Sequence, residues 1–155
     1  MANEVKEKYG TITDLTLTSA SLADGAGRCT AKVDNTSTRA GKVHVYVRVK
    51  SGSSAPTANA LYKVYLLRED NHATEYTSEG IIISDSAVST EPSNAQLVGA
   101  IVVTATANKD FYTDFMIHDP GPSWGLVLWN ASGQTISSTE TDTFIHYQTV
   151  TPEVQ

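Results

Sequence analysis

Cysteine is almost absent from this sequence. Cys29 is the only one, so no intramolecular disulfide can form and a disulfide-built module is excluded. It sits in the strand-like context RCTAKV and reads as a small buried apolar group, not a nucleophile. Long apolar runs are missing as well. The longest, LVGAIVV at 97–103, is far too short to span a bilayer as a helix. The opening MANEVKEKYG is polar and has no apolar stretch behind it. No signal peptide is therefore expected, and the product is expected to be made in a cytoplasm and to stay soluble. The sequons at Asn35 and Asn130 then read as chance matches. Charge is sparse too, at 18% of residues, below the usual quarter. The net charge of −6 and pI near 5.1 argue against a phosphate-seeking surface, so nucleic acid is not an expected partner.

Chemistry-bearing motifs are equally scarce. The four histidines, His44, His72, His118 and His146, are spread over different segments, and none pairs at metal-ligand spacing. Glu69, Asp70 and His72 share one loop, which lacks an EF-hand pattern and reads as a solvated acidic turn. No nucleophile elbow and no phosphate-cradling glycine loop is present. Asp114, Glu140 and Asp142 are carboxylates without a pattern that pairs them for glycoside cleavage. No catalytic residue, metal or cofactor is expected.

What the chain does have is alternation. In KVHVYVRVK (42–50) valine holds every second place, and Lys42, His44, Tyr46, Arg48 and Lys50 hold the others. A strand sends neighbours to opposite faces, so this segment has one apolar and one cationic, partly aromatic face. Other strand-like runs are Thr13–Leu22, Arg28–Val33, Leu61–Arg68, Phe111–Ile117, Trp124–Asn130 and Phe144–Val150. Turn signals separate them at roughly 8–15 residues. LVGAIVV is apolar on both parities, as a central strand covered on both sides or a strand at a subunit contact would be. The segment before Tyr9 is the only helical possibility. The expected fold is all-β: a single antiparallel β-sandwich, jelly-roll-like, of about eight strands. Residues 1–10 are expected to form an N-terminal arm and 11–155 the sandwich domain.

Trp124 shares its parity with Leu126 and Leu128 and reads as core. Trp129 falls on the other parity, open to core, interface or glycan-platform roles. The polar face of 42–50 is open between cross-strand pairing, a guarded edge, single-stranded nucleic acid and an acidic partner surface.

Several stretches together resemble small structural proteins of tailed bacteriophages. They are the opening MANEVKEKYGTITDLTLTSASLADGAGR, then KVDNTST before the valine-rich strand, LYKVYLLRED after a Ser/Gly/Ala/Pro loop, LVGAIVV, and PSWGLVLWNASGQTIS. The similarity runs over most of the chain, and its motifs are structural; no catalytic residue travels with them. The resemblance implies a β-sandwich virion component, with capsid decoration (cement) as the first reading and a tail, baseplate or fibre component as the alternative. It further implies a homo-oligomer, with a trimer as the natural guess, bound to the major capsid protein at the virion surface, with no membrane partner and a surface glycan as a rival ligand. The expected contact residues are Asn3, Glu4, Val5, Lys6 and Tyr9 of the arm, His44, Tyr46 and Arg48 of the polar strand face, and Trp129.

Overall fold

The computed structural model describes residues 4–69 and 80–154, the side chain of Val154 excepted. Asn3, Asp70 and His72 lie outside the described residues, and with them part of the expected arm and acidic loop.

The described chain is all-β. Its strands are β1 (Val5–Tyr9), β2 (Thr13–Leu15), β3 (Ala26–Cys29), β4 (Val33–Asp34), β5 (Lys42–Lys50), β6 (Leu61–Arg68), β7 (Ala87–Val88), β8 (Gln96–Val102), β9 (Asp110–His118), β10 (Ser123–Ala131) and β11 (Phe144–Val154). A single 3₁₀ turn spans Glu140–Asp142. The strands form two antiparallel sheets. One has the order β1-β11-β5-β9, with β2 beside β1 on the same edge of β11. The other has the order β7-β3-β10-β6-β8, with β4 alongside β3 on β10. No helix among the described residues is long and apolar enough to cross a membrane.

The two sheets share one core. Val43, Val45, Val47 and Val49 of β5 are 0–2% exposed and meet Val64, Leu66, Trp124, Leu126 and Leu128 from the facing sheet. Each such side chain contributes roughly 1.5–3 kcal/mol on leaving water, which fixes the register of β5 against a one-residue slip. Cys29, Val127, Trp129, Ile83 and Val88 build a smaller cluster on the back of the second sheet. The segment carrying Ile83 is held over it by Asp85, whose carboxylate accepts from the Arg28 guanidinium at 2.8 Å and from the Thr18 N–H and hydroxyl at 2.8 and 2.6 Å.

Three expectations need correction. LVGAIVV is not a central strand covered on both sides: among the described residues β8 pairs with β6 alone, with Leu97 52% and Val102 61% exposed. The strand covered on both faces is β10, where every residue from Ser123 to Asn130 is buried. Apolarity on both parities does not separate these cases, because an edge strand can carry apolar residues into solvent. Val5–Tyr9 is not helical; it is a strand that pairs with Val150–Val154 of the same chain. The first long run is also shorter than its pattern: only Thr13–Leu15 is strand, although Leu17 still reaches the core.

Candidate functional site

The outward face of the first sheet gathers aromatic and charged groups from β9, β5, β11 and β2. Antiparallel pairing places directly opposed residues on one face. One row runs Tyr112, Arg48, Phe144 across β9, β5 and β11. The next runs Asp114, Tyr46, His146, Asp14, reaching β2. A third holds Met116, His44 and Gln148, and a fourth His118, Lys42, Val150 and Tyr9. The valine parity of β5 is what sends this whole set outward.

The cations of this face are engaged within the chain. Arg48 donates from Nε and Nη2 to Asp110 at 3.0 and 2.9 Å, and its guanidinium lies 5.6 Å from the Phe144 ring centre. The Asp110 bond raises the Arg48 pKa further above its ordinary value. Lys50 meets Asp142 at 3.2 Å. The Asp142 carboxyl is held below its usual range, first by the Ser137 hydroxyl and then by Lys50. Lys42 pairs with Glu7 of β1, and that contact lowers the Glu7 pKa and raises the Lys42 pKa. Such pairs at the protein surface add little to stability. Their consequence is electrostatic: the stripe that looked cationic in the sequence is neutralised by its cross-strand neighbours.

Two histidines of this face, His44 and His146, meet carboxylates. His44 Nε2 donates to Asp114 at 2.8 Å, which leaves Nδ1 to accept the Tyr46 hydroxyl at 2.9 Å. His146 Nε2 lies 2.9 Å from Asp14, and its ring stacks on Phe144 at 4.2 Å. A hydroxyl–imidazole–carboxylate chain is the order a nucleophilic site uses. Here the hydroxyl is a phenol and Asp114 is 64% exposed. The nearby backbone N–H groups belong to the β5 ladders, so no oxyanion pocket accompanies it.

Between these side chains lies a shallow groove of about 440 Å³, lined by Ile12, Tyr46, Tyr112, Asp114, Phe144 and His146. Tyr112 is 65% and Ile12 54% exposed. A second depression of about 530 Å³ sits among Ser53, Ser54, Gln134 and Ser137–Thr139, beside the Lys50–Asp142 pair; it is hydroxyl-rich and has no aromatic wall. Among the described residues no group of three or more His, Cys, Asp or Glu is placed to hold a metal ion.

No family model matches the chain, and no curated protein matches it. The geometry of the face therefore carries the functional argument.

His44, Tyr46 and Arg48 do come together, as neighbours along β5 on this face. Val5 and Tyr9 share the same side further along β11, 64% and 51% exposed. Glu4 and Lys6 pair with each other at 3.4 Å. Trp129 is elsewhere: it is 5% exposed on the second sheet, its ring lying against Gly27, where a Cβ would approach to 2.7 Å. As a surface contact or glycan platform it is ruled out by its cover, the β7 side of the smaller cluster. Sequence reasoning missed Ile12, Tyr112, Asp114, Phe144 and His146. The usable signal was parity: with Phe111, Thr113, Phe115 and Ile117 facing inward, Tyr112 and Asp114 must face out.

Proposed function

We propose that this chain is a non-enzymatic structural protein of a tailed-phage virion, and within the virion a capsid decoration protein that docks on the outer shell and bridges its subunits. The observation that carries this reading is the composition of the outward β5 face. Tyr, Phe, Met, Ile and Arg side chains stand together there, the set enriched at protein interfaces, while the lysines sit at its margin and are paired. Docking on an assembled shell stabilises it by mass action, as any ligand of the assembled state does. The partners would be the major capsid protein and other copies of this chain, with the trimer resting on the resemblance alone. A place in the tail, baseplate or fibre is the alternative location.

We also propose a jelly-roll topology. Counting β1 with β2 and β3 with β4, and setting aside the two-residue β7, eight strands are left from eleven. Their order is then first, eighth, third, sixth in one sheet and second, seventh, fourth, fifth in the other. Double-sheet jelly rolls of that kind occur in capsid and lectin domains, a fold-level analogy that supports the reading without assigning it.

The test is direct. Purified chain is added to shells that lack it, and co-sedimentation is measured for wild type, Arg48→Glu and Tyr112→Ala. Binding that both substitutions weaken supports docking through this face; a chain that ignores the shells sinks the proposal. A saccharide-binding module is the second reading, favoured by the open Tyr112 ring over the groove. Glycan-array binding abolished by Tyr112→Ala would establish it instead.

A further inference from the structure

The groove on the outward β5 face has a polarity opposite to that of the strand beneath it. We infer that it receives a basic side chain, arginine or lysine, from an extended segment of a partner protein. The inference rests on reading this face as the docking surface, and it names the chemistry of the partner.

Three observations converge. First, the permanent cations of the face are spent: Arg48 on Asp110, Lys50 on Asp142 and Lys42 on Glu7. Second, Asp114, which lines the groove, and Asp14, opposite His146 in the same row, have no permanent cation among their described partners. Asp114 pairs with His44 and Asp14 with His146, and an imidazole is charged only when protonated. Their side chains are 64% and 87% exposed, and the second oxygen of each has no hydrogen-bond partner among the described residues. Third, the walls are aromatic. Tyr46, Tyr112 and Phe144 line the groove, and an aromatic ring carries a negative quadrupole that attracts a cation. Aromatic walls with a free carboxylate oxygen make a receptor for an ammonium or guanidinium group. An acidic partner side chain would meet the same carboxylates unfavourably. The nearby Phe144 ring already carries this kind of contact, with the chain's own Arg48 over it at 5.6 Å.

The experiment uses the full chain and two capped pentapeptides, Gly-Gly-Arg-Gly-Gly and Gly-Gly-Glu-Gly-Gly, titrated while backbone amide shifts are recorded by NMR. The expected result is that the arginine peptide moves the amides of Tyr46, Tyr112, Asp114 and His146 and the glutamate peptide does not. Tyr112→Ala and Asp114→Asn each weaken that binding about three-fold. Glu153→Gln, on the far side of the β1–β11 ribbon, leaves it unchanged. Equal response to the two peptides, response to methyl glucoside in their place, or no movement of groove amides would overturn the inference. So would a Tyr112→Ala/Asp114→Asn double variant that has lost the peptide yet binds shells as wild type does; the chain then still docks on shells, but not through this groove. A wild-type chain that takes the arginine peptide but ignores shells overturns the docking reading alone.

Discussion

Tyr112 and Leu126 mark the two extremes of residue environment in this molecule. Tyr112 is 65% exposed on the outward face; Leu126 is 0% exposed between the sheets. Tyr112→Ala is expected to change unfolding free energy by less than about 0.5 kcal/mol while weakening docking, and Leu126→Ala to cost about 2–5 kcal/mol. Denaturant titration of the two variants checks the pair. Cys29 gives a second residue-scale prediction. Burial removes it from solvent entirely and pushes its pKa up to about 12. A thiol reagent at neutral pH is therefore expected to label it at the rate of unfolding, and fast labelling of the native chain would contradict the packing described. The burial of Cys29 and of the β5 valines was legible in the sequence, because strand parity alone decides it. The fate of Trp129 was not. Its cover comes from Ile83 and Val88, more than forty residues away in the chain, and only long-range pairing brings them there.

At the scale of elements, β10 is the strand both sheets of packing depend on. Gly125 sits where a Cβ would come within 2.2 Å of the Ile83 side chain. Gly125→Ala is expected to overpack this spot and cost about 1–3 kcal/mol, read as a lowered Tm. A neutral effect would mean the 81–88 segment is free to lift. β8 shows where sequence reasoning stops. LVGAIVV and SWGLVLWN are both apolar on both parities, yet among the described residues one is an edge and the other is the middle of its sheet. Composition reports that a strand can be buried on both faces; strand order decides whether it is, and order is set by pairing between distant segments. β1 makes the same point from the other side. VKEKY has no core face, and it is strand only because β11 runs on past β5 to Val154 and offers a partner.

For the molecule as a whole, acid should be damaging. The Asp85 carboxyl feels burial that raises its pKa, and the Arg28 and Thr18 hydrogen bonds overcome this and hold it below the ordinary 3.8. Glu91 is held below 4.5 by the Lys63 and Tyr65 side chains. A carboxyl with a lowered folded pKa adds stability above its unfolded value and loses it as pH falls through the folded one. Tm is therefore expected to be level from about pH 7 to 5 and to drop below about pH 4. Asp85→Asn should lower the neutral plateau by about 1–3 kcal/mol and flatten the acid drop. The all-β class was readable from alternation and turn spacing, and so was the polar outward face of β5. Its neutral electrostatics were not, since Asp110 and Asp114 come from β9, Asp142 from the 3₁₀ turn and Glu7 from β1.

The measurement that bears most directly on the account is amide hydrogen exchange of this chain on shells that lack it, free against bound. Protection on binding should concentrate in β5, β9 and the Phe144–Gln148 part of β11, around Tyr46, Tyr112 and His146. Failure to bind, or protection confined to the β7–β3 edge with the outward β5 face unchanged, would contradict it.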